Sequence, residues 1–340
     1  MYTDADLTAA VQAGIISAEA AAALRQYTEQ QRQSPAVDEE NFRLLSSFND
    51  VFVVIASVLL LVAVGVLGGS MLGSIGAGFA IAAAAWGLAE FFTRQRRMAL
   101  PSIVLLLAYV GGVSFSLITL TQVNQGMQDA AGVGLVLAIT AMIAAATWLH
   151  WRRFHVPITV AAGAGVVVLA LSACVTELIL PEQAGGWLAC LFVAGLAVFA
   201  LAMRWDMSDP TRQTQRADVA FWLHLLAAPL LVHPIFSTLG SGANLSVAAG
   251  LAIVGLYVLL AAVSLLIDRR ALMVSALVYV VYALNMLLKQ FGEMGINFAL
   301  TALLISSLLL TLSAFWHPCR MRLLRCVPQR WLRYVPSLDE

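Results

Sequence analysis

Charge is scarce in this chain. Only 11% of its 340 residues are Asp, Glu, Lys or Arg, against about a quarter in ordinary soluble domains. A soluble globule is excluded, because 61% of the residues are hydrophobic and a single soluble core stops growing near ~250–300 residues. Lysine is almost missing: Lys289 stands against 18 arginines. Cysteine is limited to Cys174, Cys190, Cys319 and Cys326. Cys319 and Cys326, with His317 nearby, lack the close pairs of a zinc module. Cys174 and Cys190 have two readings, an outward disulfide or two small buried thiols, the second being the more ordinary. There is no Walker loop, dinucleotide-binding glycine pattern, His-Glu-x-x-His or nucleophile elbow. No cofactor, metal site or catalytic constellation is therefore expected.

What the chain does have is long apolar runs, with a mean hydropathy of +0.87. A membrane span takes ~20 apolar residues at 1.5 Å each. Such runs lie near 50–69, 71–92, 100–122, 131–150, 156–179, 187–204, 219–238, 245–267, 271–289 and 297–316. The expected fold is all-α, a polytopic transmembrane helical bundle of about ten spans. Residues 1–48 form a cytosolic segment, 49–316 the bundle and 317–340 a basic cytosolic tail.

The arginines set the orientation. They fall in the N-terminal segment (Arg25, Arg32, Arg43), after alternate spans (Arg94, Arg96, Arg97; Arg152, Arg153; Arg204, Arg212, Arg216; Arg269, Arg270) and in the tail (Arg320, Arg322, Arg325, Arg330, Arg333). The intervening loops 123–130, 180–186, 239–244 and 290–296 contain neither Lys nor Arg. Cytoplasmic loops are the Lys/Arg-rich ones, so both termini are expected in the cytoplasm. The arginine turns recur at intervals of about 57 to 59 residues, which suits duplicated hairpins or simply two spans plus two short loops. The second account is preferred, since side-chain matches between the segments are thin.

The N-terminal segment reads as a small helical hairpin. Thr3 and Asp6 have capping-box spacing, Gly14 stops the first helix, and Ser17 caps the second. It is either a docking module for a protein partner or a solvated extension. In the tail, Trp331, Leu332, Tyr334 and Val335 interleave with Arg330 and Arg333. That pattern suits the anionic lipids of the inner leaflet better than nucleic acid.

Polar residues within spans are costly and are candidates for function. In the ninth run Ser275, Tyr279, Tyr282, Asn285 and Lys289 share one helical face. This stripe is expected to face other helices or a water-filled cavity, either lining a permeation path or bonding helices together. The seventh run holds His224 and His233 together with Pro229 and Pro234. The prolines are expected to kink or break the helix, as in transporter binding sites. The histidines, nine residues apart, would lie on opposite faces. Glu177 in the fifth run is level with Lys289, and the two either pair or reach separately for the interface. In the third run Ser102, Tyr109 and Ser116 share a face, with Thr119 nearby. Gly69 and Gly73 have the spacing of close helix packing.

On Gly14-Ile15-Ile16-Ser17 followed by many spans, and on Phe221 to Pro234, the chain resembles a family of uncharacterised bacterial inner-membrane proteins. That resemblance implies a bacterial plasma-membrane location and no established reaction. Three functions stay open: a transporter or permease, a non-catalytic scaffold or regulator, and a membrane enzyme acting on lipids. The last has least support, for want of a carboxylate pair or metal-ligand cluster.

Overall fold

The computed structural model describes residues 10–24, 48–123, 125–179, 185–209, 214–239, 247–270, 273, 276, 277, 280–282, 284 and 294–326. The chain falls into two units, Met1–Leu44 and Leu45–Glu340. In the first, Gly14 has φ 71° and Ile15 N donates to Ala10 O, closing one helical turn. The next begins at Ser17, whose Oγ accepts the Ala20 N–H at 3.0 Å.

The second unit contains α1 (Phe48–Ala89), which runs into a π-turn at Glu90–Gln95, then α2 (Ala99–Val123), α3 (Gln125–Phe154), α4 (Ile158–Ile179) and α5 (Gly186–Met207). After these come α6 (Gln215–Leu239), α7 (Val247–Ile267), α8 (Met294–Ala314) and α9 (Trp316–Arg325). No strand occurs among the described residues. Among the described residues, seven helices are long and apolar enough to cross a membrane, and α8 with α9, bent by 74°, form a further candidate.

The first candidate, Phe48–Gln95, is 48 residues long. Unbroken, it would reach about 72 Å, far more than the ~30 Å hydrocarbon layer. It does not run straight. Gly73 has φ 70° and ψ −177°, a conformation that L side chains rarely adopt. The two arms fold back on each other: a Cβ added at Gly68 would meet Ala80 at 2.8 Å, and one at Gly65 would meet Ile81 at 2.8 Å. The turn is thus at Gly73, a few residues beyond the expected Gly68-Gly69-Ser70. Gly73 makes the reversal instead of taking part in the packing motif expected of it.

The returning arm meets α2 backbone to backbone. A Cβ on Gly78 would lie 2.5 Å from Gly112 O, and a Cβ on Gly112 would lie 2.5 Å from Gly78 O. Ser116 Oγ donates to Ile75 O at 2.7 Å across the same crossing. Small residues permit such contact where lipid supplies no hydrophobic drive between helices. Further along α2, Tyr109 packs with Trp86 and His150, and its hydroxyl reaches Ala146 O at 3.5 Å. The shared face of Ser102, Tyr109 and Ser116 is therefore buried, and two of its three hydroxyls bond to other helices. Ser102 instead donates to Met98 O on its own turn.

The inner helix is α6, with 56% of its most apolar window buried against 11–39% for the other six candidates. Ala161 of α4, Leu191 and Val198 of α5 and Val219 and Leu223 of α6 form one apolar cluster. Neither proline breaks the helix: α6 continues through both Pro229 and Pro234. Proline removes a donor, but neighbouring helices and small local adjustments can satisfy the freed carbonyl.

Three arginine-bearing turns end their helices with a non-glycine residue of positive φ: Arg97 (53°), His155 (54°) and Asp268 (57°). At Asp268 the motif closes with Arg269 N donating to Ser264 O at 3.0 Å, a Schellman-type bond. The sequence period thus has a counterpart in backbone geometry, though not in glycine.

Candidate functional site

The strongest concentration of buried charge lies where α5 ends, α6 begins and α7 ends. Asp206 is on the last turn of α5, and its carboxylate is held from two sides. Arg269 Nη2 donates to Oδ1 at 2.6 Å, and His224 Nε2 lies 2.8 Å from Oδ2. The second contact makes Nε2 the donor to an ionised Asp206. Arg269 Nε reaches Oδ2 at 3.4 Å, and Nη2 also donates to Ala217 O at 3.3 Å. Relative exposures are 5% for Asp206, 0% for His224 and 3% for Arg269. A lone buried charge is strongly disfavoured, so each partner is tolerated because of the others.

Local structure fixes the geometry. Asp209 Oδ2 accepts the Thr214 N–H at 2.9 Å and the Thr214 hydroxyl at 2.6 Å, tying the end of α5 to the start of α6. On the other side, Ser264 Oγ donates to Arg269 O. The left-handed Asp268 turns the chain so that consecutive residues serve different neighbours. Asp268 Oδ1 accepts Trp316 Nε1–H at 2.7 Å, and Arg320 Nη1 lies 3.6 Å from Oδ2. Arg270 stacks over the Trp316 ring at 4.9 Å. Residues 268–270 thereby join α5, α6 and α9.

Of the residues singled out from sequence, His224 belongs to this cluster. His233 is exposed, with Ser237 Oγ 3.3 Å from its Nδ1, and lies apart from His224 as their spacing required. Glu177 is exposed near the end of α4. Tyr282 is 47% exposed and is the one member of the ninth-run stripe among the described residues. A tyrosine serves well on an outer surface, with its ring in an apolar layer and its hydroxyl toward water. Ser275, Tyr279, Asn285 and Lys289, and the tail residues Trp331, Leu332, Tyr334 and Val335, lie outside the described residues. The four cysteines are free thiols. Among the described residues no group of three or more His, Cys, Asp and Glu could hold a metal ion.

Asp206, Asp268, Arg269 and Arg320 were missed from sequence. The expected sixth span stopped at residue 204, which left Asp206 in a loop; the helix continues to Met207. Arg269 and Arg320 counted as loop and tail charges, yet they are 3% and 1% exposed. The available signal was a carboxylate two residues past an apolar run, beside a turn also rich in arginine.

These helices, apolar toward their surroundings and joined by buried polar contacts, define a multi-pass helical membrane protein. In comparisons with known proteins, no family model, no curated protein and no solved structure matches the chain.

Proposed function

We propose that this chain is a bacterial inner-membrane protein of the transporter or permease type. In this reading it has ten spans, both termini are cytoplasmic, and its cytoplasmic end is closed by Asp206, His224 and Arg269. The span count rests on seven candidate helices, the reversal at Gly73 that divides the longest of them, the helical residues within 273–284, and α8. The orientation is supported by contacts that join arginine-bearing turns: Glu90 with Arg153, Asp206 with Arg269, and Asp268 with Arg320. Arginine-rich turns sit on the cytoplasmic side.

The observation that carries the transport reading is the buried ionic cluster itself. Ionisable groups sealed between membrane helices are costly and mark pathways and gates. Three elements meet there through one carboxylate, so loosening that carboxylate frees all of them together. A scaffold would keep the same cluster closed at all times, and this difference can be measured.

Ala228 is one turn beyond His224 on the same face of α6 and fully buried. In a variant with the four native cysteines replaced, Ala228→Cys is exposed to a membrane-impermeant maleimide in inside-out vesicles. A gate gives slow but measurable labelling. Arg269→Lys, which keeps the charge but loses the two-pronged guanidinium, is expected to speed labelling about tenfold, corresponding to ~1.4 kcal/mol in the opening equilibrium. No labelling in either protein, with both eluting as folded species, would favour a static scaffold.

A further inference from the structure

Asp268 and Arg269 are consecutive, yet each is held by a different part of the chain. Arg269 Nη2 donates to Asp206 Oδ1 of α5 at 2.6 Å. Asp268 Oδ1 accepts Trp316 Nε1–H of α9 at 2.7 Å, and its Oδ2 lies 3.6 Å from Arg320 Nη1 of the same helix. We infer that α9 is a latch: its docking on Asp268 sets the position from which Arg269 closes on Asp206, and its release loosens that closure.

The backbone between the two side chains supports this. Asp268 has φ 57°, a region that few non-glycine residues occupy and that persists where the surroundings hold it. Arg269 N donates to Ser264 O at 3.0 Å, and Ser264 Oγ donates to Arg269 O. Both bonds close over the Asp268 turn, so the turn and Arg269 move as one unit. The form of α9 supports it as well. This helix has 10 residues and is bent by 74° from α8. Alone, a helix this short is marginal in water, so docking is what keeps it helical. Trp316, Arg320 and Leu324, spaced four apart, make its buried face. Trp316 shares a buried cluster with Tyr257 and Leu265 of α7. Met321, Arg322 and Arg325 are exposed, which leaves the outer side of the latch open. Two of its polar contacts converge on Asp268, one residue from the arginine that closes the cluster.

The opening of the cytoplasmic end rests on the transporter reading; the coupling of α9 to Arg269 does not. Two measurements on the full chain keep them apart. The first is maleimide labelling of Ala228→Cys in the cysteine-replaced protein, with Ala85→Cys, equally buried in α1, as control. Trp316→Phe is expected to speed labelling at Ala228→Cys about fivefold, within the usual range of such couplings, and to leave Ala85→Cys unchanged. Leu324→Ala, which loosens α9 without touching Asp268, is the second variant and should act in the same direction. The second measurement is a double-variant cycle of Trp316→Phe with Arg269→Lys, read as unfolding constants in bicelles. The double variant should fall short of the product of the two single effects by about fivefold. A result equal to the product overturns the latch. So does equal speeding at Ala85→Cys, which would mark general loosening, and so does unchanged labelling in both latch variants while Arg269→Lys speeds it. Absence of Ala228→Cys labelling in every variant sinks the gate, and the cycle alone then decides the coupling.

Discussion

The two sides of this bundle hold their arginine-bearing turns together in opposite ways. Between α1 and α3 the link is at the surface: Arg153 Nε meets Glu90 Oε1 at 2.7 Å and Nη2 meets Oε2 at 3.0 Å, with Arg94 adding a contact at 3.3 Å. The side chains remain 29–55% exposed. Between α5 and α7, Asp206 and Arg269 are both 3% exposed at the side chain. The first side takes its helix contact from the glycine crossing at Gly78 and Gly112 and from the rings around His150, so its ion pair is secondary. On the second side the charges are the contact. An exposed pair is screened by water and salt, whereas a buried pair that loses one member leaves the other stranded.

The contrast can be broken most sharply at Asp206. Asp206→Ala is expected to lower unfolding free energy, measured by steric trapping in bicelles, by ~3–5 kcal/mol. Arg269→Ala should act similarly, and the double variant should cost well under the sum of the two, because each single change strands a charge that the double change removes. A purely additive result would mean that the pair is not coupled.

Smaller effects sharpen the comparison. Trp316→Phe keeps the ring but removes the donor to Asp268, and should cost ~1.5–3 kcal/mol, the range for a hydrogen bond to a charged group. On the glycine side, Gly112→Val forces a side chain into the Gly78 backbone; overpacking of this kind costs ~1–3 kcal/mol. The smallest effect is expected at Glu90→Gln. Its change in stability in the same bicelles should be below that of every other variant named and should vanish at high salt. A Glu90→Gln effect as large as that of Asp206→Ala would erase the distinction between the sides.

Much of this was legible in the residues. Apolar runs and alternating arginines depend on local composition, and the helices follow them closely. Ser17 and Gly14 acted as cap and stop because capping chemistry is local. Less was legible where distance along the chain mattered. Asp206 and Arg269 are 63 residues apart, and nothing in either neighbourhood announces the other. Pro229 and Pro234 signalled a kink or a break by local rules, and the helix does not break. The ninth run, which held the most conspicuous polar stripe, yields only Tyr282 for comparison, and that side chain is turned outward.

By itself, then, the sequence determined that these segments are helical, that they are too apolar for water, and where arginine recurs. Hydropathy and hydrogen-bond satisfaction act residue by residue and can be read from a list. Which arginines stay in water and which become the buried partners of aspartates was decided only by tertiary packing. A charge is tolerated in the interior when its counter-charge arrives from a distant part of the chain, at 2.6 Å for Arg269 and 3.6 Å for Arg320, and that arrival is a property of the assembled bundle.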